Sequence, residues 1–214
     1  MQKLRRCPRV DKQTVAYYDK NSQAYMLRTG SADLSRTLDR FLRLVPSGGR
    51  VLDYGCGFGR DIRYFEAHEL RVVGLDPSRE FVEIARRQTS SELILGDVFT
   101  LRNQSFDGIW ACASLLHVPS RDVGAVLAAL YQCLAPGGAF YASVRLGTGE
   151  HRSPDGRLFV DYEPEQFAFL LDQFCWQDRD LWLSADADPQ RRDFCWVNWL
   201  GTKPKVEFHR LGFD

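Results

Sequence analysis

One stretch, Val51-Leu52-Asp53-Tyr54-Gly55-Cys56-Gly57-Phe58-Gly59-Arg60-Asp61, constrains the fold of this 214-residue chain more than any other. A short apolar run reads as a buried strand, three glycines at alternate positions as a turn, and the periodic residues after them as a helix. Glycine lets a backbone take left-handed conformations and approach a ligand closely. A strand that passes into a helix through such a turn lies at the carboxyl edge of a parallel sheet, where open α/β sheets bind their ligands. Spacing narrows the ligand class. Dinucleotide-binding turns follow G-x-G-x-x-G, whereas this one follows G-x-G-x-G and carries Arg60 where the third glycine would stand.

The remaining pattern extends the same architecture. Residues 71–75, 92–95, 107–112 and 139–144 read as strands, and 60–67, 79–87, 123–134 and 163–174 as helices. Apolar strands alternating with helices predict a parallel sheet covered on both faces. Residues 177–183 and 194–201, joined by a polar turn with Asp186, Asp188 and Pro189, predict a closing antiparallel hairpin. Ahead of the sheet, residues 11–44 predict a helical annex, broken at Thr29 and Gly30, with Ser31 as N-cap of its second helix. Residues 145–162 predict a mobile rim over the pocket, from which Arg145 or Arg157 would meet an anionic acceptor.

Composition removes several alternatives. Basic and acidic residues balance to a net charge of zero, which disfavours nucleic acid as partner. The six cysteines, Cys7 to Cys195, are scattered without metal-ligand spacing, so no metal is expected. No apolar run reaches the roughly 18 residues of a membrane span, and the start lacks the apolar core of a signal peptide. The expectation is a cytoplasmic protein, monomer or homodimer, that acts on a small molecule away from any membrane.

A second carboxylate follows the turn. Asp76 ends the strand Arg71–Leu75, 23 positions after Asp53, where it can accept hydrogen bonds from both hydroxyls of a ribose. It could equally cap the next helix, although Ser78 can do that alone.

With these motifs, Gly96-Asp97-Val98, Phe106-Asp107-Gly108-Ile109-Trp110 and Leu134-Ala135-Pro136-Gly137-Gly138, the chain resembles the class I S-adenosylmethionine (SAM)-dependent methyltransferases. The likeness spans residues 17–203 and is greatest to the small bacterial type that includes tellurite-resistance-like and small-molecule methyltransferases. It implies an α/β fold: a Rossmann-like, doubly wound, seven-stranded sheet, mostly parallel with a C-terminal antiparallel hairpin, and helices on both faces. The whole chain, 1–214, would be one domain, with residues 1–45 a helical cap and 50–203 the core. It implies SAM as cofactor and S-adenosylhomocysteine (SAH) as product. Asp53 and the Gly55 carbonyl would serve the ammonium, with Cys56, Gly57 and Gly59 completing the turn. Asp76, Pro77 and Ser78 would hold the ribose, and Asp97 and Val98 the adenine. Cys112 and Ala113 would lie beside the methyl group. Tyr18 and Tyr25 would close over the cofactor, and Arg28 would pair with its carboxylate. The turn at 134–138 is expected to be structural only.

Methyl transfer leaves the protein mainly alignment and exclusion of water. His117, after the fourth strand, is the candidate general base, with packing of the following helix as the competing role. RNA, DNA or protein methylation, and SAM binding without catalysis, stay open as other readings.

Overall fold

The computed structural model describes residues 10–101, 103–188 and 194–205. β1 (Arg50–Tyr54) and β4 (Phe106–Ala111) form the centre of a seven-stranded sheet, flanked on one side by β2 (Arg71–Asp76) and β3 (Glu92–Leu95). On the other side lie β5 (Leu134–Arg145), β9 (Cys195–Thr202) and the edge strand β8 (Gln177–Ala185), giving the order β3-β2-β1-β4-β5-β9-β8. The first five strands pair in parallel, and β9 runs antiparallel to both β5 and β8. The chain changes direction across the sheet between β1 and β4. A crevice opens there at the carboxyl ends of the strands.

Helices cover both faces, as continuously apolar strands require. On one face α2 (Ser35–Leu42) and α3 (Arg60–Ala67) pack Phe41, Ile62 and Phe65 against Val51, Trp110 and Tyr141. The Trp110 indole is fully buried, and its N–H donates to Asp61 Oδ2 at 2.9 Å, so burial leaves no polar atom wanting. On the other face α5 (Val123–Cys133) and α6 (Pro164–Leu171) pack Leu127, Leu130, Phe167 and Leu171 against Leu52, Ile109, Phe140 and Trp199. α4 (Arg79–Gln88) starts after the N-cap Ser78, whose hydroxyl accepts from Phe81 N–H.

α1 (Lys12–Thr29) lies across the crevice and is not held by an ordinary apolar stripe. Its buried residues include Thr14 and Ser22. Asp19 accepts from the Ser78 hydroxyl at 2.7 Å and from Glu80 N–H at 3.2 Å, docking α1 onto the start of α4. No helix among the described residues is long and apolar enough to cross a membrane.

The structure corrects the sequence reading in four places. The second N-terminal helix begins at Ser35, not after Ser31; Asp33 Oδ1 accepts from Ser35 N–H at 2.9 Å and stabilises that start. Residues 134–138 are not a separate turn but the irregular beginning of β5, bonded to Lys203 through Gly137 N–H and Gly138 C=O. The expected rim over 145–162 is largely a hairpin, β6 (Gly149–Arg152) paired with the buried β7 (Leu158–Asp161). α6 stops at Leu171, short of the expected Phe174. Cys7 and Pro189 lie outside the described residues.

Candidate functional site

The glycine turn is stapled to the end of β2. Gly55 and Cys56 N–H both donate to the Leu75 carbonyl, at 2.8 and 3.2 Å, and Gly57 N–H donates to Asp76 Oδ2 at 2.8 Å. The other Asp76 oxygen accepts from Ser78 N–H at 2.8 Å. Two of the glycines are required for different reasons. Gly55 has φ +77°, and a Cβ there would lie 2.5 Å from Ser114 Cβ. Gly57 has φ +54°, but nothing stands within 4 Å of where its Cβ would be. Gly55 is demanded by packing, and Gly57 keeps backbone open toward a cavity. Gly59 does not line that cavity; it precedes α3 with φ +83° and lies against Thr89 and Ala85 of the α4 end.

Three buried carboxylates converge beneath the turn. Asp61 is paired with Arg60 at 2.6 Å and with Trp110. Asp53 has no such partner: its Oδ2 is buried without a hydrogen bond, and desolvation, with Asp61 and Asp76 nearby, pushes its carboxyl well above the usual range. A buried unpaired carboxylate oxygen is costly unless something fills its place. Asp76 is pushed up to about 6 by burial, opposed by its two backbone hydrogen bonds. Asp97 accepts from Phe99 N–H at 2.9 Å and opens the short 3₁₀ turn Val98–Thr100.

These residues share one cavity of about 370 Å³. That volume falls within the range of small-molecule sites. Every residue that the sequence assigned to the cofactor or to proton transfer lines it except Gly59. From α1, Tyr18 and Tyr25 meet edge-to-face at 5.2 Å and both pack on Phe81, at 5.4 and 5.6 Å. Burial raises both phenols. The Arg28 guanidinium lies 5.3 Å from the centre of the Tyr25 ring, and no carboxylate pairs with it among the described residues. Ala113, at φ +50°, donates its N–H to Ser143 Oγ at 2.9 Å. The Cys112 thiol is pushed up to about 12 by burial, which leaves it protonated at neutral pH.

His117 sits in the 3₁₀ turn Leu115–His117 after β4. Its Nδ1 lies 2.6 Å from the Leu158 carbonyl and its Nε2 2.8 Å from the Tyr18 hydroxyl. A carbonyl only accepts, so Nδ1 carries the proton and Nε2 accepts from Tyr18. Burial lowers the imidazole to about 4, so the ring is neutral. Among the described residues no group of three or more His, Cys, Asp or Glu is arranged to hold a metal ion.

Arg145 and Arg157 are engaged elsewhere, contrary to the anion-binding expectation. Arg145 pairs with Asp161 at 2.8 Å and Arg157 with Asp155 at 2.6 Å, and neither lines the cavity. The sequence reading missed Phe81, which braces the tyrosines, and a set of polar residues on β5, β8 and β9. The hydroxyl and amide side chains among the apolar residues of β5 and β9 were the available signal.

The donor set fits SAM. An unpartnered buried carboxylate suits an ammonium, a second carboxylate at the adjacent strand tip suits a ribose, and open glycine backbone separates them. Residues 51–138 match the family described as methyltransferase domain. The chain carries a class I SAM-dependent methyltransferase domain. Among its curated relatives, malonyl-acyl-carrier-protein O-methyltransferase of Serratia marcescens is 32% identical over 172 residues, 75% of this chain and 64% of that protein. Methyltransferase GfsG of Streptomyces halstedii is 36% identical over 104 residues, 44% of this chain and 37% of that protein. The chain therefore spans less than two thirds of the length of either. The methyltransferase fold is also that of 1,6-didemethyltoxoflavin-N1-methyltransferase of Burkholderia thailandensis, solved with 1,6-didemethyltoxoflavin and S-adenosylhomocysteine. The two superpose with TM-score 0.71 at 24% identity, over 89% of this chain and 85% of that one.

Proposed function

We propose that this protein binds SAM and transfers its methyl group to a small-molecule acceptor. The observation that carries the reading is the buried Asp53 Oδ2 without a partner, beside open glycine backbone and in one cavity with Asp76 and Asp97. SAM supplies a methyl carbon already activated by its sulfonium. Asp53 would hold the ammonium, Asp76 the ribose hydroxyls, Asp97 and Val98 the adenine, and Arg28 the carboxylate. Tyr18 and Tyr25 would cover the cofactor and keep water out, with residues 1–45 serving as cap to a 50–203 core in a single domain. Orientation of this kind is worth roughly 7 to 11 kcal/mol of a barrier, more than a base contributes.

His117 would take the acceptor's proton. Its Nε2 lone pair is directed at the Tyr18 hydroxyl, so the proton would pass to Tyr18 Oη as Tyr18 gives its own to His117. A relative that is a malonyl-acyl-carrier-protein O-methyltransferase and a fold neighbour that holds 1,6-didemethyltoxoflavin both support a non-polynucleotide acceptor. So do the neutral net charge and a cavity rather than a trough. The five described cysteines are free thiols, as suits a cytoplasmic protein. The experiment is SAH release from SAM across a panel of small phenols, carboxylates and amines. Acceptor-dependent release that disappears in Asp53→Asn supports the proposal; release absent with every acceptor, from protein that binds SAM, contradicts it.

A further inference from the structure

The cavity continues past the cofactor residues along the face of β5, β9 and β8. Strand register decides what lines this arm. Ser143 stands opposite Asn198, Asn198 opposite Trp182, and Ser184 opposite Trp196. Alternation therefore turns Tyr141, Ser143, Asn198, Trp196 and Ser184 to one side of the sheet, and all five line the cavity.

Their polar groups form a chain with a single sense. Asn198 Nδ2 lies 3.3 Å from the carbonyl oxygens of both Trp182 and Trp196, which only accept, so the orientation of the amide is fixed. Its Oδ1 accepts from the Tyr141 hydroxyl at 2.7 Å, and its Nδ2 donates to Ser184 Oγ at 3.0 Å. Because Ser184 accepts that bond, its own O–H is left to donate. Tyr141 and Asn198 are each 3% exposed, so the chain is desolvated up to the half-buried Ser184. Beside it, the Trp196 indole N–H donates to Asp186 Oδ2 at 3.2 Å, which fixes the ring as a flat wall. The arginines among the described lining residues are Arg28, which the cofactor carboxylate would engage, and Arg60, paired with Asp61. An anionic acceptor finds little complementary charge in such a lining.

We infer that this arm is the acceptor subsite, and that it takes an uncharged planar ring bearing a hydrogen-bond-accepting oxygen, read by the Ser184 hydroxyl against the Trp196 indole. The inference rests on the methyltransferase reading. Ser184 is a positioning residue here, outside the methyl-transfer machinery itself.

The test is calorimetry on the full chain. SAH is titrated first; then the SAH-loaded protein receives salicylamide, which is neutral, and salicylate, an anion of nearly the same shape. The expected result is saturable salicylamide binding, with salicylate at least about tenfold weaker. Ser184→Ala should weaken salicylamide about three- to tenfold, the value of one neutral hydrogen bond, and leave SAH affinity unchanged. Ser184→Thr, which keeps a hydroxyl, should recover binding. The unchanged SAH affinity reports an intact fold. Salicylate binding as tightly as salicylamide, no salicylamide binding to SAH-loaded protein, or indifference to Ser184→Ala overturns the inference. Failure of SAH itself to bind the unaltered protein would instead remove the methyltransferase reading, and this inference with it.

Discussion

The two ends of the cavity are built in different ways. At the cofactor end, Asp53, Gly55, Gly57 and Asp76 lie within 24 residues of one another, and two adjacent parallel strands fix their geometry. At the other end, Tyr141, Asn198 and Ser184 come from strands far apart in the chain and meet only through antiparallel register. The first arrangement is a local device that survives as a motif. The second depends on sheet assembly, and no spacing rule announces it. Substitutions at one end should leave the other end's ligand untouched.

The strongest way to break that separation is at Asp76. Asp76→Ala removes the brace on Gly57 and would remove both proposed ribose contacts, and SAM affinity should fall about a thousandfold, taking each charge-assisted hydrogen bond as roughly 1.5–3 kcal/mol. Calorimetry with SAM reads this directly, while Ser184→Ala should show no change.

Next come the glycines, which sharpen the comparison within the cofactor end. Gly55→Ala should cost about 3 kcal/mol of stability in urea unfolding, because it combines a left-handed conformation with a collision on Ser114. Gly57→Ala should cost only about 1–2 kcal/mol, since open space surrounds it, yet it should weaken SAM binding more than its stability loss suggests.

Proton linkage separates two groups of the cavity, His117 and Asp76, by pH. His117 is lowered from 6.5 to about 4, so between those values the unfolded chain binds the proton more readily than the folded one. Stability from this group is full above pH 6.5 and is lost as pH falls toward 4, by about 3 kcal/mol. Asp76 works in the opposite sense: raised to about 6, it takes up a proton in the folded protein first and favours folding as pH drops from 6 toward 3.8. On going from pH 7 to pH 5 the unaltered chain should therefore lose more stability than His117→Gln, as unfolding measured at both values would show. SAM affinity should fall as pH is lowered through about 6, because ribose hydroxyls favour the ionised Asp76, and Asp53 acts in the same direction.

The smallest effect is expected at the hairpin that secures α1. Arg152 pairs with Asp11 at 2.9 Å, and Leu158 N–H donates to Thr14 Oγ1 at 2.9 Å. The ion pair is exposed on its arginine side, so Arg152→Ala should leave the unfolding midpoint nearly unchanged. Hydrogen exchange in α1 should quicken while that in β1 does not.

Much of the cofactor end was legible in the sequence because it depends on contiguous residues. β1, α3 and β3 lie where the pattern placed them, and Asp53, Gly55, Gly57 and Asp76 come together as expected. The N-terminal helix was less legible, since it docks through Asp19 and an aromatic cluster with Phe81 rather than through a regular apolar face. The segment 145–162 carries enough glycine and proline to read as a loop, yet Leu158, Phe159 and Val160 bury themselves as β7, and the Leu158 carbonyl holds His117. Neither pairing can be read from neighbours in sequence. Arg145 illustrates the same limit: its nearest charge is Asp161, brought to it by the hairpin.

The most direct measurement is the heat of SAM binding to the folded chain and to Asp53→Asn. Saturation at one site per chain, with affinity reduced at least about tenfold in the variant, is the predicted result. A flat titration of the unaltered, folded protein with both SAM and SAH would contradict the account.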